Sequence, residues 1–453
     1  MSSQKTMNRS LVVVGGILVQ LCLGAIYAWS AFTAKLTADP FGFTRTQTQV
    51  IFSVGLLSFA VVMALVAGRW QRKVGPALVA LVGGLVLGAG YVIAGLSGTS
   101  FWGILFGIGI LGGAGIGLGY VCPIAALVKW FPDKKGLMTG LAVAGFGFGA
   151  LIWIKLTSGF KFGTLDLTPG WTGLYGMDWT VSRVFILYGI VFAALVALGS
   201  RLLSSPPDGW VPPGWQPPTG DAASTGGGIL FKEREMVATP QFWGLFTAFF
   251  VGSTAGLMVI GVIQLFGKDA LTARGMSADQ ANIVAGTAMG LFYALMNGLG
   301  RIIWGNLSDR IGRKQSITLM CLLQGIMMIA FYFIGGREWG LYLGAAVIGF
   351  NFGGNFALFP AATADYFGNR NIGINYPWVF MSYGVGGVVG PILGGIMGDA
   401  KAWIWAFVPA GIACLLAAGI ASMLRPPRPP KVAVIDDSRK PAPGKSPRET
   451  VRS

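Results

Sequence analysis

The stretch NGLGRIIWGNLSDRIGRK, residues 297–314, contains the side chain whose chemistry is hardest to assign to packing. Arg301 stands in an apolar run eight residues before Asp309, about 12 Å away along a helix rising 1.5 Å per residue. A guanidinium at the centre of a membrane helix costs about 2.5–3.5 kcal/mol on insertion scales, so such residues have a partner or a function. Its planar fork can give two parallel hydrogen bonds to a carboxylate, which a lysine cannot reproduce. All 17 acidic residues fall in loops, the tail or helix ends, which leaves a small anionic substrate as the counter-charge. The competing reading is an arginine that snorkels to the interface. Asn297 and Tyr293 precede Arg301 by four and eight residues and extend a polar stripe along one helix face.

Other side chains at comparable depth outline a small cavity. Tyr27 in GAIYAWSAF, Tyr120 in GLGYVCP and Tyr383 in FMSYGVGG can donate hydroxyls. Phe352 and Phe356 in NFGGNFALFP can supply apolar walls, although each aromatic taken singly reads as well as packing. Lys35, past the outer end of the first apolar span, can attract anions at the entrance or be a solvated loop lysine. The chain has no His, and its four cysteines, Cys22, Cys122, Cys321 and Cys414, lie in apolar spans without metal-ligand spacing. No metal, cofactor or disulfide framework is expected, and no catalytic triad or phosphate loop is present in the pattern, so the chain is not read as an enzyme.

The elements that must position these residues are membrane helices. Hydrophobic residues make up 54% of 453 positions and charged residues only 11%, against about 25% in soluble chains. Twelve apolar spans of about 20 residues can be counted, each long enough for a bilayer core of roughly 30 Å. They predict an all-α membrane protein. The 71 glycines recur in runs such as GILGGAGIGLG, where small residues let helices approach closely in lipid. The first span follows a short polar start with no small-residue cleavage pattern and reads as a retained helix.

A Pro-, Gly- and Ser-rich stretch divides the spans six and six. The expected organisation is an N-terminal bundle over 1–203, a cytoplasmic linker over 204–236, a C-terminal bundle over 237–424 and a disordered cytoplasmic tail over 425–453. The halves repeat. GRWQRKVGP (68–76) and GNLSDRIGR (305–313) share glycines at their first and eighth positions: Gly68 and Gly75 in one, Gly305 and Gly312 in the other. A second landmark, KWFPDKKGLMTG (129–140) against DYFGNRNIGINY (365–376), matches at nearly the same offset. Parallel six-helix repeats are a transporter architecture with the substrate site between the halves.

The six-plus-six plan and the doubled loop motif resemble the major facilitator superfamily. In that family the motif loop is cytoplasmic, and lysines and arginines agree: outside the tail, 15 fall on that side and 9 on the other. Both termini are then cytoplasmic, in a cell inner membrane. The net charge of +16 needs no nucleic-acid partner, and the basic tail can be drawn to anionic lipid. The resemblance gives Gly305, Asp309, Arg310, Gly312 and Arg313 a structural and gating role, with Asp309 capping or pairing at the cytoplasmic face. In the first copy Arg72 stands at the acidic position, which puts a charge relay there in doubt.

GAIYAWSAF, PPGWQPP, TPQFW and NGLGR look like the oxalate/formate antiporter family, which includes bacterial lactate and pyruvate transporters and is similar, more distantly, to animal monocarboxylate transporters. The resemblance implies Arg301 as the substrate-binding arginine, with Asn297, Tyr120 and Phe352 beside it. Oxalate carriers have a second cation, a lysine, where Tyr383 stands here, so one carboxylate is favoured over two. Animal relatives have an aspartate where Asn297 stands, so the proton route differs. A proton can travel on the substrate itself, with Asp365 the nearest acid to assist. The expected function is proton-coupled symport of a small monocarboxylate such as L-lactate or pyruvate by a monomer; the alternative is anion exchange.

Overall fold

A computed structural model of the chain describes residues 8–29, 32, 35–36, 38–158, 161–162, 165–166, 173–207, 210–212, 231–369 and 371–428. Much of the linker, part of the 158–180 segment and the tail beyond residue 428 lie outside the described residues.

Among the described residues, twelve helices are long and apolar enough to cross a membrane. They are α1 (Arg9–Trp29), α2 (Gln47–Val74), α3 (Pro76–Leu96), α4 (Phe101–Trp130), α5 (Gly136–Thr157), α6 (Val181–Ser200), α7 (Pro240–Thr272), α8 (Gln280–Ile311), α9 (Arg313–Ile334), α10 (Glu338–Phe367), α11 (Ile372–Asp399) and α12 (Trp403–Met423). Side chains that accept from backbone amides fix several starts: Thr44, Ser100, Thr180, Thr239 and Ser277. A two-residue ribbon pairs Lys161–Phe162 antiparallel with Leu165–Asp166, a small addition to an all-helical fold.

Several helices run past the apolar spans. At 33 residues α7 is about 50 Å long, well beyond the roughly 30 Å of a bilayer core. The same is true of α8, and it corrects the reading of 305–311 as loop: the motif is the last two turns of α8, and the turn itself is Gly312 alone. Gly312 has φ 92 and ψ 157, and Gly75 in the first copy has φ 86 and ψ 165. These left-handed backbones suit glycine, and each lets one helix end and the next begin within a residue. The sequence repeat is thus a repeat of backbone geometry.

The halves meet along α2 with α11 and α5 with α8. Within each half, glycines bring helices to backbone contact. On α4, a Cβ at Gly115 would stand 2.6 Å from the Gly83 carbonyl oxygen of α3 and would overlap the Leu87 amide. Gly115→Val is therefore expected to destabilise the detergent-solubilised protein by about 1–3 kcal/mol through forced separation of α3 and α4. A melting temperature equal to that of the parent protein would contradict this packing.

Candidate functional site

Helix α8 carries Arg301 into the middle of the molecule. A π-helical stretch, Ala288–Tyr293, precedes it, and regular α-helix from Ala294 sets Asn297 and Arg301 one turn apart on the inner face. Opposite lies α5, whose Gly140 and Gly147 leave room for the arginine: a Cβ at Gly140 would overlap the Arg301 carbonyl, and one at Gly147 would lie 3.2 Å from Nε.

Arg301 has no solvent exposure, so it does not snorkel. Its Nε donates to Asn297 Oδ1 at 3.2 Å and its Nη1 to the Val143 carbonyl of α5 at 2.8 Å. Nη2 is buried without a partner. The guanidinium carbon stands 4.2 Å from the Phe356 ring centre and 5.4 Å from that of Phe146. Two aromatic faces and one carbonyl stabilise the cation partly; no carboxylate pairs with it among the described residues.

The structure gathers the aromatic residues expected around this arginine. Tyr27 of α1 and Tyr383 of α11 join hydroxyls at 2.6 Å, a bond between the halves. Phe352 and Phe356 of α10 lie against Tyr27 and Tyr383, with ring centres 5.9 and 5.3 Å away. Tyr120 of α4 is fully buried, and its hydroxyl lies beside Arg301 and Tyr376 without making a hydrogen bond of good geometry. Tyr293 is committed elsewhere, donating to the Gly256 carbonyl at 3.1 Å.

Sequence reading missed three participants. Phe146 packs edge-on against Tyr27 and Tyr120, with ring centres 5.1 and 5.3 Å apart; its place in the glycine run of α5 was the available signal. The Val143 carbonyl leaves no mark in a side-chain pattern. Tyr376, at the start of α11, is buried with an unpartnered hydroxyl.

Two expected residues lie elsewhere. Asp365 is not beside Arg301: it accepts from Arg313 Nε at 2.7 Å, nine residues along α10 from Phe356 and about 13 Å away. A paired carboxylate at that distance cannot exchange a proton directly with an anion on Arg301. Lys35 stands with its ammonium 5.3 Å from the Tyr175 ring centre, in the outer segment. Lys155 is buried in the last turn of α5.

The motif end forms a separate cluster. Asp309 accepts from the backbone amides of Gly136 and Leu137 at 3.0 and 2.8 Å, so a carboxylate of one half caps the first turn of α5 in the other. Arg313 binds Asp309 at 2.7 Å as well as Asp365, and also donates to Ser308. Arg310 points outward, exposed. In the first copy Arg72 is exposed, and the crossing bond is Gln71 Nε2 to the Gly373 carbonyl at 3.2 Å. Gly68 packs against that same carbonyl. Both contacts close the molecule on the linker face.

The chain matches the Major Facilitator Superfamily over residues 14–376 and again over 270–453, and it belongs to that superfamily of transporters. Among curated proteins it is 29% identical over 385 residues to an uncharacterized MFS-type transporter, YhjX, of Escherichia coli (strain K12), covering 84% of this chain and 86% of that one. It is 26% identical over 416 residues to the oxalate:formate antiporter of Oxalobacter formigenes, covering 92% and 91%. It is 27% identical over 448 residues to apicoplast pyruvate carrier 1 of Toxoplasma gondii, covering 82% and 80%. The fold is similar to that of a proton:xylose symporter, with TM-score 0.61, 14% identity and coverage of 91% and 93%. It is also similar to the E. coli fucose:proton symporter, with TM-score 0.59, 15% identity and coverage of 91% and 98%.

The cap on α5 generates a prediction. In Asp309→Ala the Gly136 and Leu137 amides lose their acceptor, and hydrogen exchange over residues 136–138 should accelerate about tenfold, as expected for loss of a helix cap. Unchanged exchange would show that the two halves are not held together there.

Proposed function

We propose that this protein carries a small monocarboxylate, with L-lactate and pyruvate the leading substrates, across the cell inner membrane together with a proton. The observation that carries the reading is Arg301: a fully buried cation whose Nη2 makes no hydrogen bond and which has no carboxylate partner among the described residues. A carboxylate placed at Nη2, with its second oxygen facing the unpartnered Tyr120 hydroxyl, would neutralise the charge and satisfy both donors. Asn297 and the Val143 carbonyl orient the guanidinium and occupy its other two nitrogens, so Nη2 becomes the contact edge. Phe352 and Phe356 enclose the apolar body of the substrate.

One cation in the site favours one carboxylate. Where a second cation could have stood, Tyr383 is tied to Tyr27. The similarity to a protein named a pyruvate carrier supports the same class. Coupling follows from what the site lacks. Arginine keeps its proton, Asp365 is paired with Arg313, and the chain has no His. The proton therefore travels on the substrate: desolvation weakens the bound acid, raising its pKa, so that it takes up a proton and leaves Arg301 as a neutral molecule.

Alternating access moves the two halves, 1–203 and 237–424, about this site, joined by the 204–236 linker with both termini cytoplasmic. Asp309, Arg313 and their partners hold the cytoplasmic side shut, and Gly305, Gly312, Gly68 and Gly75 allow the close helix approach and turns this needs. A single chain contains every residue the site uses, so a monomer suffices. The similarity to an oxalate:formate antiporter favours anion exchange as the second reading.

Uptake of labelled L-lactate and pyruvate into proteoliposomes under an acid-outside gradient tests the proposal. Gradient-driven uptake by the parent protein is expected to fall by about two orders of magnitude in Arg301→Gln, the scale of losing one partner of a buried ion pair. Uptake that ignores the pH gradient but rises with internal anion would select exchange. Uptake equal in the variant would remove Arg301 from the site.

A further inference from the structure

A second unpartnered hydroxyl lies between the site and the linker face. Tyr376 is the fifth residue of α11 and has no solvent exposure. Its hydroxyl and that of Tyr120 face each other across the two halves, and neither makes a hydrogen bond of good geometry. The two tyrosines belong to different halves and flank one ring: Phe380 lies 5.2 Å from Tyr120 and 5.7 Å from Tyr376, centre to centre. Tyr376 precedes Tyr383 by two helical turns on the same face of α11, about 10 Å nearer the linker end. Three residues before Tyr376, the Gly373 carbonyl receives Gln71, the contact that seals this end.

A buried hydroxyl is ordinarily well bonded, and two that meet across the halves without a bond of good geometry mark a place where another polar group comes and goes between them. Tyr383, which faces the same direction, has its need met by Tyr27. Phe380 touches Tyr383 at 4.7 Å as well, so one aromatic ring separates the engaged hydroxyl pair from the open one.

Resting on the proposed function, we infer that Tyr120 and Tyr376 form a second anion subsite on the linker side of Arg301, with Tyr376 handling the carboxylate only as it arrives from or departs to that face. The anion passes from Nη2 of Arg301 and the Tyr120 hydroxyl to the Tyr120 and Tyr376 hydroxyls once the Gln71 to Gly373 seal opens. Tyr120 is shared between the two positions. The ligand class is a carboxylate small enough to pass Phe380. Tyr376 is thereby a residue of one side of the transport cycle, unlike Arg301, which serves both.

The asymmetry is measurable. In oriented proteoliposomes, half-saturating concentrations of L-lactate and pyruvate are determined from each face for the parent protein and for Tyr376→Phe, which keeps the ring and removes the hydroxyl. The value from the linker face should rise about tenfold, and that from the opposite face should stay within twofold. Replacing Tyr376 by difluorotyrosine, which retains the packing and donates more strongly, should lower the linker-face value. A purely structural role would shift both faces together, or neither, and would overturn the inference while leaving the transport of monocarboxylates intact. If the parent protein moves neither acid from either face, the proposed function fails and this subsite fails with it.

Discussion

A guanidinium removed from water and left without a carboxylate partner among the described residues is the constraint around which this structure is arranged. Arg301 is held by one amide oxygen, one carbonyl and two aromatic faces, which together orient it without cancelling its charge. Burial makes the remaining charge strong, because there is no solvent to screen it. The same burial makes the empty site costly and the filled site cheap, which is the condition for a substrate to bias the equilibrium between conformations. Because Arg301 belongs to one half and Val143 to the other, neutralising the guanidinium acts on the interface itself.

The helices achieve this through closeness. Alanine in place of Gly140 would collide with the Arg301 carbonyl, and a Cβ at Gly305 would collide with Gly136. Glycine therefore stands where α5 and α8 must touch, and the arginine fits because Gly140 and Gly147 on the facing helix have no side chains. At the linker end the contact changes character. There Asp309 caps α5, and Arg313 ties Asp309 and Asp365 together, so a charged cluster in water-accessible territory closes what an uncharged seam closes further in. The first repeat reproduces the turn at Gly75 but not the acid, and Gln71 makes the crossing bond with an amide instead. The two copies share backbone geometry and differ in electrostatics.

Much of the fold was legible in the sequence, since hydropathy marks the length of chain that meets lipid and the twelve helices follow it. Hydropathy does not mark where a helix ends in water, which is why α7 and α8 exceed the apolar spans and why 305–311 read as loop. Arg301 was legible because a charge in an apolar run is conspicuous, and its aromatic neighbours only as a set at similar depth, since each taken singly reads as well as packing. Their pairing was not: Tyr27 and Tyr383 lie 356 residues apart, and no local pattern distinguishes a tyrosine bonded to a partner from one left open. Tyr376 escaped for that reason, and Asp365 was placed too near the site because sequence depth does not say which neighbour claims a carboxylate.

The central claim is that a carboxylate substrate supplies the counter-charge of Arg301. The most direct test is thermal unfolding of the purified protein and of Arg301→Gln, each with and without L-lactate or pyruvate at saturating concentration, near neutral pH. Ligand that binds the folded state raises the melting temperature by mass action. The account predicts that ligand stabilises the parent protein and has no effect on the variant, while the ligand-free variant melts no lower than the ligand-free parent because it no longer buries an uncompensated charge. Equal stabilisation of both proteins by ligand would contradict it.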